Sequence, residues 1–364
     1  MKQIQFDLET VTPMFMSGAN QREFELRPPS FKGMMRFWWR AFYWGKNAEQ
    51  ITPQDIEKAE GKIFGTASGK GEKKGQKSGF SIRLTTPDTK GSLEPFPKHN
   101  VKAASGERPV NILEYLAYGT HEYQKAERKN VFIRQYLPVN SNFSVILNIS
   151  DNKIAEEVVM SFYLTAVFGG VGAKSRNGFG GLVIRKIGLE DPGIFHNLNL
   201  QFPFPKKDFF DEKIKNPNIP NFTGFSGKMK IFRLKDSPGT WDECLARLGT
   251  IYRAAKLSLD EPNTCEKRQY IASPIKSEKR VGGRNRVYDY DQSFLERHSK
   301  PYFLKVIQTK NSFDGYIICL PSKYCDGLEK DRNNNRIPAD ADEKFMEYCN
   351  EFNSYLAGEM EKCL

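Results

Sequence analysis

A glycine-rich segment near the middle of the chain, residues 168–181, holds the residues best suited to contact a ligand. It reads FGGVGAKSRNGFGG, with six glycines, two cations and two small polar side chains. Glycine lets backbone amides approach a ligand closely and permits positive φ. We expect a loop that wraps a phosphodiester backbone with main-chain donors and positive side chains, although a mobile turn is the alternative. The candidate contact residues are Gly170, Gly172, Lys174, Ser175, Arg176, Asn177, Gly178 and Gly180.

Two familiar nucleotide-binding loops are excluded for this segment. A Walker loop has glycines six and one positions ahead of its Lys-Ser pair. Phe168 and Ala173 occupy those places here. A dinucleotide-binding loop follows a strand and opens a helix. Here the pattern predicts a helix before the loop, at 153–168, and a strand after it, at 182–187.

A second candidate surface lies on the helix predicted over 31–44, with Ser30 as its N-cap. One face is apolar, with Met35 and Trp38 among its residues, and should face the core. Another face repeats a cation every fourth residue and adds two rings; these residues are Lys32, Arg36, Arg40, Trp39 and Tyr43. We expect RNA contact along this face, with an ordinary solvated basic side as the alternative.

A third basic stretch occupies residues 262–290. It combines cations with two adjacent glycines and several tyrosines, which suggests a further nucleic-acid surface or a contact with an RNA-bearing neighbour. Its candidate RNA-binding residues are Lys279, Arg280, Arg284 and Arg286.

The composition agrees with a polyanionic partner. The 364-residue chain has a formal net charge of +11 and a pI near 9.2, which indicates nucleic-acid binding and not a particular fold. The sequence opens without a signal-peptide pattern and has no apolar run of about 18 residues. We expect a soluble cytoplasmic protein that does not enter a membrane.

Catalytic and metal-binding patterns are weak. The six cysteines form no CxxC pair, and the four histidines are scattered. Metal-independent RNA cleavage needs an acid and a base near the 2′-OH. The glycine-rich segment contains no His, Asp or Glu. We therefore expect no catalytic residue, no metal and no cofactor.

The order of the predicted elements indicates how the candidate residues come together. The first half runs strand, helix, strand, strand, helix, glycine-rich loop, strand. This βαββαβ order is typical of ferredoxin-like, RRM-type folds. In such a sheet the last strand lies beside the first. The glycine-rich loop should therefore meet residues 12–30, which follow the first strand.

The predicted fold class is α+β, with two ferredoxin-like domains. We predict a first domain at 1–190, a linker at 191–223 that is rich in Pro, Phe and Asn, and a second domain at 224–364. The second domain resembles a degenerate copy of the first and lacks a glycine-rich loop of its own.

Three stretches resemble the RAMP superfamily, the RRM-like subunits of type III CRISPR effectors. They are TPMFMSG at 12–18, LRPPSFKGMMRFWWR at 26–40 and the glycine-rich segment. The amino-acid sequence around Arg27 is similar to that of subunits of the Cmr, or type III-B, complex. The resemblance covers residues 1–187 best.

The resemblance implies a non-catalytic RNA-binding subunit of an antiviral ribonucleoprotein. Its expected partners are the 3′ region of the CRISPR RNA, its target RNA and other Cmr RAMP subunits. Carried over by position, Arg27, Lys32, Arg36 and Arg40 join the glycine-rich segment in the RNA site. Two alternatives stay open: an endoribonuclease that processes CRISPR RNA, and a purely scaffolding subunit.

Overall fold

The computed structural model describes residues 2–48, 51–67, 75–102, 109–189, 198, 200–261, 266–271, 277–281, 284–288, 299–326 and 337–364. The fold is mixed α+β and is built on two four-stranded antiparallel sheets.

The first sheet forms from strands whose residues alternate between buried and accessible positions. It contains β1 (Lys2–Thr10), β2 (Phe80–Leu84), β7 (Asn142–Ile149) and β8 (Leu182–Leu189), in the order β2-β7-β1-β8. Ile4, Phe6 and Leu8 of β1 are buried beneath the helices, as a period of two predicts. The last strand thus lies beside the first, as expected.

Helix α1 (Pro28–Lys46) packs against α4 (Ala155–Val167) on one face of this sheet. Arg27, not Ser30, occupies the N-cap of α1. The predicted Ser30 cap is wrong because Pro28 and Pro29 start the helix earlier, since proline suits the first helical turn. Helix α2 (Pro53–Phe64) follows and opens with a capping box between Thr52 and Asp55.

Small elements between β2 and β7 form an insertion beside the sheet. They are β3 (Asn100–Val101), β4 (Val110–Asn111), α3 (Ile112–Leu116), β5 (His121–Gln124) and β6 (Lys129–Phe132). Helix α3 packs on α6 (Trp241–Leu257) of the second half.

The second sheet repeats the strand order of the first. It contains β9 (Lys230–Arg233), β12 (Tyr302–Gln308), β13 (Phe313–Cys319) and β14 (Glu361–Lys362), in the order β12-β13-β9-β14. Helices α6 and α8 (Ala341–Glu359) cover it. Only Met360 separates α8 from β14, so this half has no counterpart of the glycine-rich loop.

Three further elements complete the described chain. They are α5 (Lys207–Lys213), α7 (Arg268–Ile271) and the antiparallel hairpin of β10 (Ser277–Val281) and β11 (Arg284–Tyr288). The segment before β9 packs on the first half, where Phe204 contacts Phe168 and also stacks on Tyr316 of β13.

Both hydrophobic cores draw residues from the two halves. One core joins Phe6 and Trp38 with Phe303 and Ile318. The other joins Phe15 and Phe179 with Leu245 and Tyr302. The two sheets therefore share their cores.

Candidate nucleic-acid interface

The glycine-rich loop, residues 168–181, is hydrogen-bonded to the segment after β1. The amide of Ala173 donates to the carbonyl of Phe15 (2.7 Å), and the amide of Gly180 donates to the carbonyl of Pro13 (2.8 Å). The hydroxyl of Thr12 donates to the carbonyl of Gly178 (2.7 Å). The predicted meeting of these two segments is confirmed.

The glycines of this loop allow close packing. Gly172 has a φ of 96°, and a Cβ there would lie 2.2 Å from the carbonyl oxygen of Phe15. Gly180 has a φ of 67°, and its Cβ would lie 2.0 Å from the carbonyl oxygen of Val171. A Cβ on Gly170 or Gly178 would likewise lie less than 3.0 Å from a neighbouring atom.

The loop's amides are used inside the loop and against its neighbours. Those of Val171, Asn177, Gly178 and Phe179 donate to carbonyls of the same loop. The amides of Gly178 and Gly180 are therefore used within the protein, and RNA contact by Gly170, Gly172, Gly178 and Gly180 stays a prediction. The glycines shape the loop, and its side chains are left to make contacts.

Arg176 points into the contact between the two halves. Its guanidinium donates to the carbonyl of Lys300 and to the hydroxyl of Thr223, and it lies 4.6 Å from the ring centroid of Phe303. Burial lowers the pKa of Arg176 to about 10. Arg176 therefore joins the two halves, and its RNA contact stays a prediction.

Asn177 has a similar place. Its amide group donates to the carbonyl of Leu116 (2.6 Å), and its oxygen accepts from Lys300. The backbone of Arg176 accepts from the amide of Leu304 (3.0 Å) on β12. Arg176 and Asn177 thus tie the loop to the second half and to α3.

Lys174 and Ser175 form the half-exposed tip of the loop. Lys174 has a φ of 63°, and a Cβ on Gly119 would lie 3.8 Å from its ammonium nitrogen. The charged neighbours that act on Lys300 are Arg176, Lys256 and Lys174, all cations. Burial, and then these three charges, hold the pKa of Lys300 well below its usual range.

The insertion reaches this cation cluster, defined as Lys174, Lys256 and Lys300, at Gly119, next to Tyr118. Tyr118 and Tyr123 of the insertion are 58% and 56% exposed. His121 lies near Lys174, and burial, followed by the charge of Lys174, lowers the pKa of His121 against the opposing effect of Glu114. Sequence reasoning missed Tyr118, Lys256 and Lys300 as neighbours of the loop. They come from three separate elements, so no spacing in the sequence links them to the loop. Their aromatic or basic residue types were the one available signal.

The basic face of α1 is formed largely as predicted. Arg36 and Arg40 both bind Glu60 of α2, at 2.6 and 3.0 Å. The Glu60 side chain is only 6% exposed, whereas those of the arginines are about two-fifths exposed. Two cations on one carboxylate leave this cluster with a net positive charge.

Two other predicted residues lie beside this face. The ammonium group of Lys32 lies 5.3 Å from the ring centroid of Phe80. Arg27 at the helix start donates to the carbonyl of Ser17 (3.4 Å) and remains partly exposed.

Trp39 does not belong to the accessible face. Its side chain is buried, and Nε1 donates to Oε2 of Glu157 on α4 (2.7 Å). The expected stacking of an RNA base on Trp39 itself is corrected, because the ring is covered by Tyr43, 4.6 Å away between centroids.

The open face of the first sheet is polar. Its β1 positions are Gln3, Gln5, Asp7 and Glu9, and Asp7 accepts from Gln5 and Ser144 at 2.7 Å each. RRM sheets stack bases on aromatic residues at such positions. None of the described side chains on this face of the four strands is aromatic, so this sheet offers no base-stacking surface of the RRM kind.

The third basic stretch is the β10–β11 hairpin, in which Lys279 pairs with Arg286 and Val281 pairs with Arg284. The side chains of Lys279, Arg280, Arg284 and Arg286 lie outside the described part of the structure. Their RNA contact stays a prediction.

One further titratable pair lies outside the surfaces above. His99 bonds Asp242 at 2.7 Å where the insertion meets α6. Within the described ranges, no group of three or more His, Cys, Asp or Glu side chains is placed to hold a metal. In the same ranges, no helix has the length and apolarity to cross a membrane.

Comparison with known proteins gives the family. A RAMP superfamily model matches residues 7–183. The CRISPR system Cmr subunit Cmr1-2 of Pyrococcus furiosus is 31% identical over 196 residues, covering 50% of this chain and 95% of that protein. The subunit Cmr1-1 of the same organism is 26% identical over 215 residues, covering 58% of this chain and 55% of that protein.

Solved structures share the fold. The crystal structure of apo Cmr1 from Pyrococcus furiosus has a TM-score of 0.58 and 18% identity, covering 100% of this chain and 98% of that chain. A chain of the type III-B Cmr-β complex bound to cognate target RNA has a TM-score of 0.52 and 13% identity, covering 98% of this chain and 99% of that chain. With a 31% identical Cmr1 relative spanned almost completely, the chain belongs to the RAMP superfamily.

Proposed function

We propose that this subunit binds RNA without cleaving it, and that it contacts the 3′ region of the CRISPR RNA, its target RNA, or both. The observation that carries the proposal is the cation cluster at the junction of the halves. Lys174, Lys256 and Lys300 come from the loop, from α6 and from the segment before β12, and the charges of the first two act on the third. Lys174 and Lys256 supply the cationic side chains that suit a phosphate backbone, whereas Lys300 donates to Asn177 and its pKa is held well below the usual range.

The relatives support the RNA partner. One structural neighbour is a chain of a Cmr complex bound to cognate target RNA. By analogy, RNA and other Cmr subunits are the partners of this chain. The exposed Tyr118, next to Gly119 at the cluster, and the exposed Tyr123 of the same insertion can stack unpaired bases.

The proposal extends to the architecture. Each sheet, with its βαββαβ order and two covering helices, is proposed to be one ferredoxin-like domain. We place these domains at 1–190 and 224–364, with the connection at 191–223. The repeated strand order supports this division, and the shared cores support a fixed arrangement of the two domains.

Replacing Lys174 and Lys256 together by Ala tests the RNA site. Each lost phosphate contact lowers the slope of log K against log salt by about 0.7 for single-stranded RNA. We expect weaker binding and a slope reduced by about 1.4, measured by fluorescence anisotropy at several salt concentrations. A Lys228→Ala/Lys310→Ala double variant removes the same charge from exposed sites elsewhere. Equal affinity and slope in the test and control variants would overturn the proposed site.

The same preparations distinguish the two alternatives. Incubation of labelled repeat RNA should leave it intact; products that disappear in a His121→Ala or His99→Ala variant would establish the endoribonuclease instead. Crosslinking in a reconstituted complex should give RNA adducts at the cation cluster. Adducts to protein alone would establish a scaffolding role.

A further inference from the structure

A cavity separate from the glycine-rich loop opens between three helices. It has a volume of about 260 Å³ and lies between the second half of α1, the first half of α4 and α5. This is slightly below the range of roughly 300–1,000 Å³ that accommodates drug-sized ligands. The cavity therefore has room for a ligand about the size of a nucleobase.

One wall of the cavity is aromatic and apolar. Tyr43 lines it and is half-buried, and its ring stacks on Trp39 at 4.6 Å with 21° between the planes. Met160 and Leu164 of α4 add apolar surface. A flat ring that enters the cavity can pack against these side chains, as bases do on exposed aromatic residues of RNA-binding proteins.

A carboxylate is fixed at this wall. Glu157 lines the cavity, and its Oε2 accepts from Nε1 of Trp39 at 2.7 Å. The buried Trp39 ring thereby sets the position of the carboxylate. An ionised carboxylate only accepts hydrogen bonds, so its natural partner is a group with N–H donors.

The rim also carries lysines. Lys46 lies in the last turn of α1 and is exposed. Lys213 pairs with Glu212 at 2.7 Å, and Lys215 donates to the carbonyl of Asp211. Glu156 and Glu212 line the cavity as well, and Lys213 is paired with Glu212, so the contact with an anion is assigned to the exposed Lys46 at the rim.

We propose that this cavity binds a single nucleotide, with the base beside Tyr43, its donor edge on Glu157 and its phosphate near Lys46. Guanine fits best, since its ring N–H and its amine donate side by side to one carboxylate. An arginine from a partner protein would also satisfy Glu157, and it is the alternative occupant that the experiments below separate from a nucleotide. The nucleotide in the cavity has one of two sources. It is either an unpaired nucleotide of a bound RNA, in which case the inference rests on the proposed RNA binding, or a free nucleotide.

Calorimetric titration of the whole chain with GMP, AMP, CMP and UMP tests the cavity. We expect GMP to bind most tightly and UMP most weakly. Glu157→Gln keeps an acceptor for Trp39 but loses the carboxylate, and should weaken GMP binding by about tenfold to a hundredfold. Glu347→Gln makes the same change at an exposed position of α8 and should leave binding unchanged.

The phosphate contact has its own test. Lys46→Ala should remove the advantage of GMP over guanosine while guanosine binding stays the same. If RNA is the source of the nucleotide, the wild type should bind a uridine tract more tightly when the tract contains one guanosine. The Glu157→Gln variant should bind both RNAs equally well. GMP binding without that preference would assign the cavity to free nucleotides.

Two results would overturn the proposal. One is the absence of saturable binding by all four nucleotides together with no guanosine preference in RNA. The other is binding of N-acetylarginine amide in place of nucleotides, which would make the cavity a protein-docking site. The Lys174→Ala/Lys256→Ala variant should keep GMP binding in the cavity. Failure of the RNA site and failure of the nucleotide cavity are thereby distinguishable.

Discussion

Lys305 of β12 caps the carboxyl end of α4, a helix of the first half of the chain. Its side chain is fully buried, and its ammonium nitrogen donates to the carbonyls of Ala166 and Gly169 at 2.6 Å each. The carboxyl end of a helix is partially negative, which favours a cation. Burial nevertheless lowers the pKa of Lys305 to about 7. This residue therefore holds the start of the glycine-rich loop in place.

Replacing Lys305 by Met should change how stability depends on pH. An unfolded lysine has a pKa of about 10.4, so between about pH 7 and pH 10 the unfolded chain binds more protons. The free energy of unfolding of the wild type, relative to Lys305→Met, should therefore rise by about 2–3 kcal/mol from pH 6 to pH 9. Denaturant unfolding at both pH values measures this difference.

Lys310→Met is the matched control, because Lys310 lies exposed just beyond the same strand. The cross-strand neighbour of Lys305 is Tyr316. Burial raises the pKa of Tyr316, so this residue does not titrate between pH 6 and pH 9. A constant difference between the wild type and Lys305→Met at pH 6 and pH 9 would contradict the prediction.

Side-chain direction was harder to predict from the sequence than the meeting of segments. Lys174 and Arg176 are two residues apart in one loop, yet Lys174 lies beside Gly119 of the insertion whereas Arg176 donates to the carbonyl of Lys300. Positive φ at Lys174 and Gly172 turns the chain in this part of the loop. Trp39 likewise faces Glu157 because of where α4 lies, a tertiary fact that helical periodicity alone does not contain.

At the scale of elements, the glycine-rich loop should be intolerant of added side chains. Gly180→Ala combines a positive φ with a Cβ that would lie 2.0 Å from the carbonyl oxygen of Val171. We expect a loss of about 2–3 kcal/mol in the free energy of unfolding.

Gly33→Ala on α1 supplies the comparison, since no atom lies within 4 Å of the place that a Cβ on Gly33 would take. That change should stabilise the chain by roughly 0.5–1 kcal/mol, because alanine is the better helix former. Denaturation of both variants gives the two values. Equal stability of Gly180→Ala and the wild type would show that the loop can relax around a side chain.

Long periodic elements were predictable, and short ones were not. The helix predicted at 153–168 and the strand predicted at 182–187 correspond to α4 (Ala155–Val167) and β8 (Leu182–Leu189). The β5–β6 hairpin was missed because its residues are mostly exposed and lack alternation. Helix α5 was missed because it has only seven residues, and packing of Phe209 and Phe210 defines it.

At the scale of the whole molecule, the shared cores predict one unfolding transition. Trp38, Trp39 and Trp44 lie in the first half, and Trp241 is the remaining tryptophan. Fluorescence of a Trp241→Phe variant therefore reports the first half, whereas far-UV circular dichroism reports all helices. Both signals should change at the same denaturant concentration, because Arg176 and Lys305 bridge the halves.

A second transition seen only by circular dichroism would show that the halves unfold independently. Phe303→Ala removes a buried ring that contacts both Phe37 and Trp38 across the halves. It should shift both signals to lower denaturant together. A shift of one signal alone would contradict the single transition.

The internal hydrogen bonds of the glycine-rich loop also affect the thermodynamics of association. Fixing a backbone residue costs about 1–2 kcal/mol of conformational entropy. Here that entropy is lost when the protein folds, because the loop is already fastened by Phe15, Pro13 and Leu304. An arriving ligand meets a preorganised backbone and immobilises only a few side chains, so less of its interaction energy is spent on ordering the protein.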